Sequence, residues 1–343
     1  MLLSLAILIS VLSPSLTSKG KYSENDSASD CVKTFKSEEG KEGTFTSPRY
    51  PEEYSSGQQC KYEFIGNPEE RVQVIFEEVQ LYYISNDAKD PTECTSIDSI
   101  RVQIKDEGDL KDIGLFCGEM DNRQLMSPNQ FMEVIFDSVE REESSIKAPF
   151  KGFKARYKFL TNFGIYTGIQ DKADKCIFTF TSRQAKSGMF TSPNYPGDYP
   201  RNTECQYVFK GEMEEEEIVQ IHFLTFSVEG IKPCTEETKS DSVSFSNFGF
   251  RISDRKMSKL CGNFLSTHQR TVTSDGPYFR VIFKSNSVYD DKGFEASYQF
   301  KKKKDNNHQQ SAENNRYMNN PAASFRSRIN SLVFFVFFLL VLC

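Results

Sequence analysis

Cysteine carries most of the chemistry this sequence can offer. Eight of its nine cysteines fall into two sets, Cys31, Cys60, Cys94, Cys117 and Cys176, Cys205, Cys234, Cys261. In each set the first two stand 29 residues apart. No pair has a CxxC spacing, so a structural zinc site is not expected. In an oxidising compartment these residues become disulfide partners, and their spacing leaves the pairing open. Histidine offers little. There are three, His222, His268 and His308, with no HExxH, GxSxG or P-loop pattern around them. No catalytic residue is expected. The net charge of −6 and the lack of a broad basic patch exclude nucleic acid as an expected partner.

The elements that must hold those cysteines are written twice. "FTSPRYPEEYSSGQQC" (Phe45 to Cys60) returns as "FTSPNYPGDYPRNTEC" (Phe190 to Cys205). Further on, "LFCGEM" answers "KLCGNF", "EVIFDS" answers "RVIFKS", and "GFKARYKF" answers "GFEASYQF". One module has been duplicated, and each copy must close its own core. Within each copy the apolar period is two, as in Val72, Val74, Phe76 and in Val219, Ile221, Phe223. His222 falls on the outward side of the second run. Short alternating strands between Gly, Pro, Asn and Asp clusters predict an all-β chain of antiparallel β-sandwiches. No stretch sustains a helical period. The acidic run "GEMEEEE" (Gly211 to Glu217) reads as a solvated hairpin loop, and "KKKK" (Lys301 to Lys304) as a solvated start to an Asn/Gln-rich stalk.

Both ends carry targeting signals. The first 18 residues, "MLLSLAILISVLSPSLTS", resemble a secretory signal, and residues 1–19 are expected to be removed. At the other end a 12-residue apolar tail, Leu332 to Cys343, follows a polar spacer and the small trio Ala322-Ala323-Ser324. Such a tail is too short to span a bilayer and suits a glycolipid (GPI) anchor signal, with attachment at Ala322 and loss of residues 323–343. The odd cysteine, Cys343, would leave with it. Asn25 heads the sole N-x-S/T sequon and is the expected glycan site.

Taken together, the order of cysteine, "FTSPxYP", cysteine, apolar strand, cysteine, Asp, "CG", "VIF" and closing "GFxAxY" resembles the CUB domain family. The resemblance covers two tandem domains, 31–160 and 176–300, with 161–175 as a linker and 301–322 as a flexible stalk. It implies an antiparallel jelly-roll β-sandwich in each domain. It further implies disulfides Cys31–Cys60, Cys94–Cys117, Cys176–Cys205 and Cys234–Cys261. Many domains of this family hold Ca²⁺ near one end through three acidic side chains, supported by a tyrosine of the "PxYP" turn. The matching positions of the second domain are Glu229, Asp241 and Asn286, with Tyr195 in the turn. Those of the first are Tyr82, Asp98 and Val139, with Tyr50. Calcium is therefore expected in the second domain only, through two carboxylates and an amide. The resemblance implies a non-enzymatic cell-surface protein that recruits extracellular partners through its loops, as an adhesion protein, co-receptor or auxiliary subunit. A secreted soluble binding or matrix protein, and a regulatory partner of an extracellular protease, are the alternatives.

Overall fold

A computed structural model describes residues 31–83, 94, 97–120, 122–140, 150–249, 257–263 and 265–303. Asn25, Ala322, the N-terminal signal and the anchor segment lie outside the described residues, as does all of the stalk beyond residue 303.

Each repeat folds into two facing sheets. In the first, β1 (Cys31–Lys36), β3 (Gln59–Ile65), β9 (Phe131–Asp137), β5 (Ser99–Asp106) and β6 (Asp109–Phe116) lie side by side in that order. The facing sheet runs β2 (Glu42–Thr46), β10 (Gly152–Leu160), β4 (Arg71–Gln80) and β7 (Glu119–Met120), with β8 (Arg123–Met126) also paired to β4. The second repeat repeats this order. One sheet is β11 (Ile169–Gln170), β12 (Ile177–Thr181), β14 (Glu204–Lys210), β18 (Tyr278–Lys284) and β16 (Ser242–Ser246). The other is β13 (Ser187–Thr191), β19 (Gly293–Lys302), β15 (Glu217–Ser227) and β17 (Thr271–Thr273). The sandwich is antiparallel as expected save for its opening strand. β1 runs parallel to β3, with Cys31 opposite Cys60, and β12 runs parallel to β14. Among the described residues no helix is long and apolar enough to cross a membrane.

Alternation explains the cores. Phe45, Phe64, Phe76 and Phe153 point between the first pair of sheets; Phe190, Phe209, Phe223 and Phe294 do the same in the second. With no tryptophan available, rings are packed edge to face, Phe45 on Phe64 at 5.0 Å and Phe190 on Phe294 at 5.6 Å. Each such pair adds roughly 0.5–1.5 kcal/mol beyond the burial itself. The two clusters are separate, one per repeat.

The repeated turn now has a mechanical role. Ser47 Oγ accepts the Phe153 amide and Ser192 Oγ accepts the Phe294 amide, both at 2.9 Å, so "FTSP" is stitched to the last strand of its own domain. Gly152 and Gly293 lead those strands at φ +84° and +78°, and a Cβ on either would lie 1.9 Å from the serine Oγ. Only glycine fits there.

Within the expected linker 161–175, Phe163 and Ile165 are buried in the second core, and β11 extends the second domain's sheet by pairing with β12. An apolar pair and a strand edge drew this segment in. The acidic run is not wholly solvated. Glu217 is buried, where its carboxylate accepts from Lys186 Nζ at 2.5 Å and from the Glu212 amide at 2.8 Å. The first repeat builds the same device from Glu70, Lys41 and the Asn67 amide.

Candidate functional site: the acidic end of the second domain

The structure pairs Cys31 with Cys60, Cys94 with Cys117, Cys176 with Cys205, and Cys234 with Cys261. The Cys234–Cys261 bridge ties the loop after β15 to the residues beside β16. That fixes the end of the sandwich where Glu229 and Asp241 meet.

Asp241 stands at the entry to β16 and is 1% exposed. One oxygen accepts from the Tyr199 hydroxyl at 2.6 Å, the other from the Asn286 amide at 2.6 Å. The Tyr199 hydroxyl in turn accepts the backbone amide of Glu229 at 2.9 Å, and the Asp241 amide donates to the Glu229 carbonyl at 3.0 Å. Glu229, Asp241 and Asn286 are thus brought to one end. Asn286 contributes chiefly backbone: its side-chain oxygen accepts the Val288 amide at 2.6 Å, and its nitrogen donates to Lys239 O at 2.7 Å.

Tyr195 does not join them. Its hydroxyl accepts from Thr225 Oγ1 at 3.0 Å, and the tyrosine that holds Asp241 is Tyr199, the second of the "NYPGDYP" turn. The physical reason is direction. Tyr195 faces out over β15, whereas Tyr199 is buried between the sheets against Phe283. A sequence signal for this was present, because a second Tyr stands at the same place in both copies. In the first domain Tyr54 donates to Asp98 at 2.5 Å and accepts the Tyr82 amide at 2.8 Å.

Asp290 and Asp291 complete the acidic end. Asp290 is nearly buried and accepts from Arg201 Nε at 2.5 Å; Asp291 accepts from Ser227 Oγ at 2.6 Å. Burial pushes the Asp241 carboxyl up to about 6; its tyrosine and amide donors pull against this, and nearby Glu229 and Asp290 reinforce it. Burial likewise raises Asp290, opposed by Arg201. A buried carboxylate with negative neighbours is electrostatically short of a cation. Among the described residues no lysine or arginine is ion-paired with Asp241 or Glu229.

The oxygen donors suit a hard cation in type. They are few, however: no group of three or more His, Cys, Asp or Glu is gathered for a metal among the described residues. In the first domain the corresponding end is built differently. Tyr82 stands where Glu229 does and turns its ring edge onto Phe150 at 5.1 Å, and the amide of Val139 caps Asp98 at 2.9 Å.

Around the acidic end the loops expose apolar side chains. Ile231 is 70% exposed, Tyr289 62% and Val288 37%. Their loops are adjacent, joined by the Asn286–Lys239 bond. An acidic floor with apolar walls offers an anchor for a side chain that is long, apolar along its stem and basic at its tip.

Comparison with known proteins agrees with this architecture. The family model for the CUB domain matches residues 31–157 and 176–298. The zinc metalloproteinase nas-39 of Caenorhabditis elegans is 23% identical over 258 residues, which are 75% of this chain and 24% of that one. Human cubilin is 24% identical over 255 residues, 74% of this chain and 6% of its own. The chain therefore spans a quarter or less of the length of these relatives. A solved structure of the CUB1-EGF-CUB2 domains of human MASP-1/3 is 20% identical, covering 76% of this chain and all of that one, with a TM-score of 0.29. CUB domains are non-catalytic modules that bind proteins outside the cell. With both repeats matched from first cysteine to closing strand, the chain belongs to the CUB domain family as a tandem pair.

Proposed function

We propose that this tandem recruits an extracellular protein partner through the acidic end of its second domain, in the manner of a co-receptor, adhesion protein or auxiliary subunit. The observation that carries this reading is Asp241, buried beside Glu229 with no cationic partner among the described residues, while Ile231, Val288 and Tyr289 stand exposed around it. A lysine or arginine from the partner would supply the missing positive charge. Its aliphatic stem would cover the apolar rim, and fixed charge pairing of this kind gives salt-sensitive association.

Ca²⁺ belongs to the same reading. Asp241, Glu229 and the side-chain amide oxygen of Asn286 are the groups that would hold it. The ion would supply positive charge that neutralises the carboxylates and stiffens the loops. Tyr199 orients Asp241 whether or not the ion is present, because its hydroxyl bridges Asp241 and the Glu229 amide.

Proximity labelling of the full chain displayed on cells tests this. Neighbours captured by the wild type in calcium should be lost with EDTA and with Asp241→Ala. An identical set of neighbours in all three samples would sink the proposal. Calorimetric titration with Ca²⁺, compared between wild type and Glu229→Gln, separates loss of the ion from loss of the partner.

A further inference from the structure

The two copies of the repeated turn differ where it matters most for the whole molecule. The first reads "PRYPEEYS" and the second "PNYPGDYP", so Arg49 and Glu52 of one copy become Asn194 and Gly197 of the other. Arg49 and Glu52 are exposed, whereas Asn194 and Gly197 are buried. The covering surface is the first domain.

The contact is built from paired amides. Gln73 Nε2, on the outer face of β4, donates to Asn194 Oδ1 at 2.7 Å in a buried setting. Gln124 Nε2, on β8, donates to the Asn194 carbonyl at 2.8 Å and to its side-chain oxygen at 2.9 Å. The Asp198 amide donates to the Gln124 carbonyl at 2.9 Å, and Arg123 approaches the Asp198 carboxylate at 2.5 Å. Asn194 Nδ2 donates to Asp198 O at 2.6 Å, so the turn is also braced within itself. Gly197 lies so close that a Cβ would stand 2.6 Å from the Gln124 carbonyl and 2.5 Å from its Cβ. Further along, Arg201 reaches Asp112 O at 3.3 Å and Asn202 reaches Asp106 at 3.0 Å, both on the first domain's β5–β6 hairpin. Arg71 lies over the Phe163 ring at 4.7 Å.

The same turn carries the acidic end. Tyr199, next to Asp198, holds Asp241 and the Glu229 amide; Arg201 holds Asp290; the Asn202 amide donates to Asn286 O at 2.8 Å. From these contacts we infer that residues 194–202 form a docking element which fixes the second domain against the first and couples that docking to the order of the acidic end. The first domain is then the in-chain partner of this surface, and the tandem presents its acidic end in one set orientation. Amide clasps of this kind are satisfied only when both partners are in place, since leaving buried amides unpaired is costly. The inference is independent of calcium and of any outside partner.

The test uses the intact, disulfide-bonded chain, free of added ligand, read by small-angle X-ray scattering and hydrogen exchange. Gly197→Ala drives a methyl into the Gln124 backbone. Gln73→Ala with Gln124→Ala removes the clasp from the first domain alone, so the second domain's fold is untouched even if the first variant fails to fold. Wild type should scatter as one compact particle, and both variants as two bodies with a larger maximum dimension. Amides of residues 228–242, which carry none of the three substitutions, should exchange roughly 3- to 10-fold faster in the variants. Wild-type scattering already typical of separated domains overturns the docking. Separated domains with unchanged exchange at 228–242 overturn the coupling.

Discussion

At the scale of single residues, the tyrosine of the turn and the glycine of the last strand do work that their neighbours cannot take over. Tyr199 is buried with its hydroxyl between Asp241 and the Glu229 amide, and burial beside that carboxylate raises its pKa, so it stays a donor throughout the physiological range. Tyr199→Phe leaves the ring in the core and removes both bonds. A loss of about 1–3 kcal/mol is expected from one unsatisfied buried acceptor and donor, measured by chemical denaturation. Tyr195→Phe should cost under about 0.5 kcal/mol, because its bond to Thr225 is at the surface. Equal losses for the two would show that Tyr199 has no special role. Gly293 is the other case. At φ +78°, with Ser192 Oγ in the space a Cβ needs, Gly293→Ala should cost about 3 kcal/mol or more and lower the yield of folded protein. The sequence showed that these glycines recur but not why, since the reason is a strand that returns from far along the chain.

Elements owe their stability to cross-links that the repeat writes twice. The connection from β14 to β15, which passes from one sheet to the other, is locked by Glu217, whose carboxyl is held down at about 2: burial opposes the charge, but the Glu212 amide, Lys186 and Ser182 outweigh it. A carboxyl depressed in the fold below its ordinary 4.5 contributes stability that is full above that pH and fades as pH falls toward about 2. Glu217→Gln should therefore destabilise at pH 7 by roughly 1–3 kcal/mol and by much less near pH 2. Urea denaturation at both pH values checks this; a constant difference would contradict it. The Cys176–Cys205 bridge closes a separation of 29 residues between the parallel strands β12 and β14. Replacing both cysteines by alanine should cost the second domain about 3–4 kcal/mol through the entropy returned to the unfolded chain, seen as a lower midpoint for that domain alone. Strand positions and the inward faces of these elements were legible, because a period of two with turn residues between is a direct image of a one-sided sheet. The burial of Glu217 was not, since it depends on Lys186 arriving from the separate connection between β12 and β13.

For the whole molecule, Gln73 is the instructive residue. Alternation along β4 places it outward, where glutamine is unremarkable, and yet it is buried because Asn194 of the second domain sits on it. The same holds for Phe163 and Ile165, which lie between the repeats in the sequence and inside the second core in space. With the domains clasped, calorimetry of the wild type should show coupled unfolding, and Gln73→Ala with Gln124→Ala should split it into two transitions. Two separate transitions in the wild type would place the domains in independent equilibria.

The sequence by itself determined a great deal: two copies of one module and the inward face of each strand. Those features are local or repeated, so periodicity and comparison of the two copies display them; Glu229, Asp241 and Asn286 were singled out only by what the family resemblance implies. Tertiary structure alone decided which tyrosine meets Asp241, that Asp290 and Asp291 belong to the same end, and that the second "FTSPNYP" turn faces a domain and not solvent. Each of these depends on which distant residues arrive at one place. A turn shows its own geometry in its sequence, but not what is packed against it.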